Sequence, residues 1–99
     1  MKDIKLLVEH MEEELEDACT YAKLAMEYKT KNPELAQMFY KLSTEEMAHK
    51  DSLHNSATRM IAEHRRTHGE PPAEMMAVYE FMHQRFMDKA EKVLNLQNQ

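Results

Sequence analysis

The sequence predicts an all-α fold, with three long helices in a single domain spanning residues 1–99. The composition favours helix, since the 99 residues include one glycine and three prolines and are rich in Ala, Leu, Glu, Lys and Met. The helix-breaking residues fall in two places, at Asn32-Pro33 and at Gly69–Pro72. They separate three uninterrupted segments, about 3–31, 33–67 and 72–96.

The residues at the breaks match helix ends. Asn32 is a favoured N-cap and Pro33 suits the first position of a helix. Gly69 is a natural residue just after the second helix, and Pro72 can open the third. Because the first turn is short, the first two helices are predicted to form an antiparallel hairpin. The second helix would be about 52 Å long, which favours a role in an oligomer.

Each segment carries apolar residues at spacings of three and four, as expected for one buried helix face. The first stripe comprises Ile4, Leu7, Val8, Met11, Leu15, Ala18, Ala22 and Ala25. The second comprises Leu35, Met38, Phe39, Leu42, Leu53, Ala57, Met60 and Ile61. The third comprises Met75, Tyr79, Met82, Phe86, Ala90 and Val93. A chain of this size buries only about 60–65% of its unfolded surface, so the core is predicted to be thin.

Charge and cysteine content exclude several classes of function. Thirteen Lys and Arg against eighteen Asp and Glu give a net charge of −5, which argues against a nucleic-acid or acidic-membrane partner. No apolar run approaches the roughly 18 residues of a membrane span, and acidic residues begin too early for a secretory signal. The single cysteine, Cys19, excludes a disulfide framework and a four-cysteine metal site. A cytoplasmic location is therefore expected.

Three ligand-type residues interrupt the apolar stripes. Glu14 occupies a stripe position on the first helix, and Glu46 and His49 fill the gap in the middle of the second stripe. In an antiparallel hairpin that turns between residues 31 and 32, Glu14 and His49 lie level, and Glu46 lies about 4.5 Å away along the axis. The spacing therefore predicts that these three side chains converge inside the hairpin.

A metal ion explains this convergence. Burying carboxylates is costly unless a positive charge compensates, and no Lys or Arg lies on either stripe at this level. Two carboxylates and one imidazole suit iron or manganese, with zinc as an alternative. A Glu-x-x-His pair also arises by chance in Glu-rich helices, where it is solvated. The interpretation as a metal site depends on the stripe position, the matching level and the third ligand.

The same residues resemble a known superfamily. Glu14 followed by Tyr21, with Glu46-x-x-His49 on the next helix, is similar to the first-half signature of the ferritin-like superfamily, which includes ferritins, bacterioferritins and rubrerythrins. The likeness is closer to encapsulated ferritins, through EEELEDACTY at 12–21 and the helix from Pro33 to His49. It covers about residues 10–60 and does not extend to the third helix. It implies that Glu14, Glu46 and His49 bind iron and that Tyr21 forms hydrogen bonds beside them.

The resemblance also implies an assembly. Full-length members carry a second Glu and a second Glu-x-x-His, whereas this chain has one well-placed set. Two chains would therefore pair into a ferritin-like four-helix-bundle core with a shared di-iron site of four carboxylates and two histidines. A homodimer or larger homo-oligomer is expected, and an encapsulin-type protein shell is an expected partner. The C-terminal residues KAEKVLNLQNQ do not clearly match the docking peptides of such proteins.

The expected function is ferroxidase chemistry, in which Fe(II) is oxidised to Fe(III) by O₂ or H₂O₂. Three alternatives stay open. A rubrerythrin-like peroxidase would use the same ligands with a separate electron donor. A redox-inert metal such as zinc would make the site structural. A metal-free helical interaction protein would leave Glu46 and His49 solvated.

Further acidic and histidine residues are candidates for lesser roles. Glu80-x-x-His83 could replace the missing half-site, but His83 is predicted to lie level with about residue 57, roughly 12 Å from the site. Glu16 is predicted to be solvated, although the resemblance also allows it to pass iron to Glu14. No partner can be identified from the sequence for three other histidines, His54, His64 and His68.

Overall fold

The structure is a computed structural model that describes residues 2–99, and these residues form three helices and no strand. Helix α1 spans Lys2–Tyr28, α2 spans Pro33–His68 and α3 spans Ala73–Gln97. The all-α prediction is confirmed, and the predicted segments agree with the helices to within three residues at each end.

The helix ends form where the local sequence predicts them. The Asn32 side chain accepts a hydrogen bond from the Leu35 backbone N–H at 3.2 Å, which satisfies one of the free donors at the start of α2. Gly69 follows α2 with φ of 81°, a conformation that favours glycine, and its N–H donates to the Arg65 carbonyl at 3.1 Å. Pro72 precedes the third helix instead of opening it, since α3 begins at Ala73.

Helices α1 and α2 form the predicted antiparallel hairpin, and α3 runs back alongside α1. The described chain is 55 Å long and about 18 Å wide, and α2 alone accounts for about 54 Å of that length. Along α3, Tyr79 lies near the start of α1, Phe86 near its middle and Val93 near its end. Helix α3 therefore lies parallel to α1 and covers one side of the hairpin.

Three small apolar clusters make up the core between α1 and the other two helices. Phe86 packs on Met11 and Leu15 in the middle of the molecule. The cluster near the N-terminus of α1 contains Ile4, Ala57 and Ile61, and the cluster near its C-terminus contains Ala18, Cys19, Ala22 and Val93. The buried faces of α1 and α3 thus follow the predicted stripes.

A buried serine forms a contact that the stripes did not predict. Ser43 has no exposed surface, and its hydroxyl donates to the Ala18 carbonyl at 2.7 Å. The same oxygen accepts a hydrogen bond from Gln97 Nε2 at 2.8 Å. The Ser43 side chain on α2 therefore connects α2 to both α1 and α3, towards the C-terminal ends of those two helices.

The predicted burial of the second stripe is only partly correct. Ala57 and Ile61 are buried, but Met38 and Met60 are 48% and 39% exposed. The reason is geometric. Because α3 lies along α1, the outer face of α2 has no covering helix within residues 2–99.

Candidate metal centre

Glu14, Glu46 and His49 come together on the surface of the α1–α2 hairpin. One ligand atom from each residue lies within 4.8 Å of the others, and no other such group of three His, Cys, Asp or Glu residues occurs in residues 2–99. The His49 Nδ1 atom is 3.4 Å from Glu14 Oε2 and 3.8 Å from Glu46 Oε2. The predicted level of the three residues along the hairpin is correct.

The spacing of these atoms fits metal coordination. Metal–nitrogen and metal–oxygen bonds of about 2.0–2.2 Å place two ligands of one ion about 3 to 4 Å apart. Both distances from His49 Nδ1 fall in this range. The Glu46-x-x-His49 pair comes from one turn of α2 and Glu14 comes from α1, so the two helices hold the ligands from opposite sides.

The electrostatics leave a negative charge uncompensated. Glu14 Oε2 is buried and accepts no hydrogen bond from the described part of the chain. Within residues 2–99, the His49 imidazole lies beside both Glu14 and Glu46, and neither carboxylate forms an ion pair with a Lys or Arg. Lys50 follows His49 directly, but its ammonium group contacts Asp51. A buried carboxylate oxygen without a donor is costly, and a bound cation would remove that cost.

The three side chains are more exposed to solvent than their positions in the apolar stripes predicted. The side chains of Glu14 and Glu46 are 25% and 19% exposed, whereas that of His49 is 59% exposed. Glu14 belongs to a row of half-buried residues on α1, spaced by seven, that continues along the uncovered side of the hairpin. The row comprises Leu7, Glu14, Tyr21 and Tyr28. The ligands therefore face outward on the side that α3 leaves free.

Tyr21 lies in this row, two turns from Glu14. Its ring stacks on Phe39 of α2, with the centroids 6.2 Å apart and the planes at 19°. The Tyr28 ring also packs on Phe39, with the ring centroids 6.1 Å apart and the planes at 37°. The described chain shows no hydrogen bond between the Tyr21 hydroxyl and any of the three ligands. Within one chain, Tyr21 is a packing residue beside the centre.

Glu16 lies away from the centre. It lines a cleft of about 340 Å³ between α1 and α3, together with Glu12 and the basic residues Arg85, Lys89 and Lys92. Glu16 is exposed, as predicted. Its position beside basic side chains of α3 does not support a role in passing iron to Glu14 within one chain.

Glu80 and His83 do not join the centre either. Glu80 is exposed, and the His83 ring stacks on His54 of α2, with centroids 5.0 Å apart and planes at 12°. The sequence predicted that His83 lies level with about residue 57 of α2. Its actual neighbour, His54, is about one helical turn before that residue. No partner for His54, His64 or His68 was identified from the sequence, whereas in the structure His54 stacks on His83, and His64 stacks on His68 with the ring centroids 5.1 Å apart.

The contact between His54 and His83 was missed because it depends on how α3 packs. A weak signal was present: Asp51-x-x-His54 has the same spacing as the other two acid-x-x-His pairs. That spacing alone does not show which face of α2 meets α3.

Within residues 2–99, no helix combines the length and apolar character needed to cross a bilayer. No protein-family model matches the chain, and neither a curated protein nor a solved structure matches it.

Proposed function

We propose that two copies of this chain pair through the uncovered side of the hairpin and form a di-iron site that oxidises Fe(II) to Fe(III). The observation that carries the proposal is the convergence of Glu14, Glu46 and His49, with a buried carboxylate oxygen that lacks a donor. The ferritin-like resemblance of the same residues is the reason for choosing this reaction class.

The donor atoms suit iron. Two carboxylates and an imidazole form a set of oxygen and nitrogen ligands that iron and manganese accept readily, and zinc also accepts it. Bound iron supplies the redox chemistry: two Fe(II) ions each lose one electron, and O₂ takes both electrons with two protons to become H₂O₂. Glu14 and Glu46 supply negative charge that stabilises the more highly charged Fe(III), and His49 supplies a neutral nitrogen ligand.

Charge balance supports a site shared by two chains. One chain offers two carboxylates and one imidazole, which is half of the ligand set found in ferritin-like di-iron sites. Two copies offer four carboxylates, whose charge two divalent cations neutralise. The exposure of His49 leaves it accessible to a second chain, and exposed Met38 lies on the same helix. Pairing would bury this surface and complete the site.

Anaerobic Fe(II) titration with native mass spectrometry tests the proposal. We expect about one iron per chain, in a dimer or larger oligomer, followed by O₂ consumption when air is admitted. Glu46→Gln should abolish iron binding and oxidation. Glu45→Gln, which changes the exposed neighbouring residue, is the matched control and should behave as the wild type.

Other outcomes identify the alternatives. Iron-dependent oligomerisation without O₂ or H₂O₂ consumption would indicate a structural metal site. Reduction of H₂O₂ that continues only when an added electron donor reduces Fe(III) back to Fe(II) would favour a peroxidase. An oligomer that binds no iron would contradict the proposal and leave a metal-free interaction protein.

A further inference from the structure

A second pair of metal-ligating side chains lies where α3 approaches α2. The imidazole rings of His54 and His83 stack with their centroids 5.0 Å apart. Tyr79, one turn earlier on α3, lies parallel to the His83 ring at 6.1 Å. Both histidines are half-buried, and neither forms a hydrogen bond with a side chain or backbone group in residues 2–99. Their ring nitrogens are therefore available to a ligand.

The two histidines line a cleft of about 320 Å³ whose other walls contain further donor atoms. Asp51 lies one turn before His54 on α2 and lines the same cleft. The thioether side chains of Met11 and Met87 also line it. Imidazole, carboxylate and thioether groups around one cleft are ligands for transition metals rather than for hard cations such as magnesium.

Lys50 also lines the cleft and brings a positive charge close to the two imidazoles. The stacked arrangement is compatible with metal binding because χ2 of histidine is a soft torsion, so each ring can turn a nitrogen towards a shared ion.

We propose that His54 and His83 bind a zinc-type divalent transition-metal ion, and that Asp51 becomes the third ligand when the ion binds, since the donor atoms of these three residues do not lie within 4.8 Å of one another in the structure. The ion would connect α2 to α3, which meet along little of their length. Asp51 contacts Lys50 in the structure, so metal binding requires the carboxylate to exchange that partner. This site is separate from the Glu14 centre and does not depend on the proposed iron chemistry.

Zn²⁺ titration by calorimetry tests the site in a background variant from which other residues that could bind zinc have been removed. The background variant combines Glu14→Gln and His49→Gln with His64→Gln, because His64 and His68 form another adjacent pair. We expect one Zn²⁺ per chain and a higher melting temperature with zinc. Adding His54→Gln or His83→Gln should weaken binding by at least about tenfold and remove the thermal shift.

Two control variants make the test specific. His10→Gln changes an exposed histidine that contacts Glu13, and it should leave Zn²⁺ affinity unchanged. Lys50→Gln frees Asp51 and removes a repulsive cation, so binding should tighten about twofold or more.

A measurement on the wild-type chain tests the site without depending on whether the variants fold. In NMR spectra of the wild type, Zn²⁺ should shift the ring signals of His54 and His83 in addition to those of His49. The proposal would be overturned if the background variant bound no Zn²⁺ at about 1 mM, or if His54→Gln and His83→Gln left the affinity unchanged.

Discussion

The Nδ1 atom of His49 lies 3.4 Å from the Oε2 atom of Glu14, so an imidazole of α2 and a carboxylate of α1 meet across the hairpin. The same carboxylate oxygen is buried and accepts no hydrogen bond within residues 2–99. In the absence of a cation, this arrangement of ligand atoms therefore destabilises the folded chain. Such a balance is typical of binding sites, where local stability is lower than packing alone would allow.

The first prediction concerns the stability of the metal-free chain. Glu14→Gln removes a partly buried charge while keeping the side-chain shape, so it should stabilise the protein by about 1 kcal/mol, or about 4–8 °C in Tm. Thermal denaturation followed by circular dichroism, with chelator at pH 8, measures this change. With Fe(II) added anaerobically the order should reverse, because the wild type gains binding energy that the variant lacks.

Glu13→Gln is the control for that experiment. Glu13 is exposed and pairs with His10 on the surface, so its Tm should change little. If Glu14→Gln lowered the Tm of the metal-free chain, the Glu14 carboxylate would be stabilising within one chain, and the argument for a missing cation would fail.

The helix ends and the level of the ligands could be predicted because they depend on local rules. Asn32 and Gly69 have side-chain and backbone preferences that act within a few residues of the turn. Once the hairpin turn is placed, the constant rise of an α-helix fixes which residues face each other. The level of Glu14, Glu46 and His49 follows from those two facts, and their positions in the apolar stripes place them on the facing sides of the two helices.

The packing of α3 could not be predicted in the same way. The level of a residue on α3 is estimated by counting residues from the turn between α2 and α3. That turn contains two prolines and its midpoint is not defined by the sequence, so the predicted position of His83 along α2 differed from the observed one by about one helical turn. The rotation of α3 around the hairpin depends on how Phe86 and Val93 fit against α1, which a stripe pattern does not encode. The burial of Ser43 and the exposure of Met60 follow from that rotation.

The second prediction compares two phenylalanines of α3. Phe86 is 7% exposed and packs on Met11 and Leu15, whereas Phe81 is 64% exposed. Phe86→Ala should cost about 3–5 kcal/mol through lost burial and a new cavity, and Phe81→Ala should change stability by less than about 0.5 kcal/mol. Urea denaturation gives both values. Equal losses for the two variants would show that α3 packs on α1 through a different face.

The third prediction concerns the hydrogen bonds of Ser43. Ser43→Ala removes the donor to the Ala18 carbonyl and leaves the Gln97 amide without its acceptor, so a loss of about 1–3 kcal/mol is expected. Ser52→Ala, on the exposed side of the same helix, is the matched control. Hydrogen exchange should also show faster opening at the end of α3. Wild-type exchange there in Ser43→Ala would mean that Gln97 does not hold α3 in place.

The last prediction is a pH dependence of stability in the presence of chelator. Burial, followed by the proximity of His83 and Lys50, lowers the pKa of the His54 imidazole in the folded chain, although Asp51 acts in the opposite direction. The unfolded chain therefore binds a proton at His54 at a higher pH than the folded chain does. Stability should be constant above the ordinary histidine range, near pH 7.5, and should fall as the pH drops through about 6.5 towards the lowered pKa.

Urea midpoints measured between pH 8 and pH 5.5 test this dependence, because most carboxylates titrate below that window. His54→Gln should flatten the profile, since it removes the group that the unfolded chain protonates preferentially. His10→Gln should keep the wild-type slope because its ring is exposed and pairs only with Glu13 within the described residues. Parallel profiles for wild type and His54→Gln would show that the contact between His54 and His83 does not resist protonation, and another group would have to account for any loss of stability in acid.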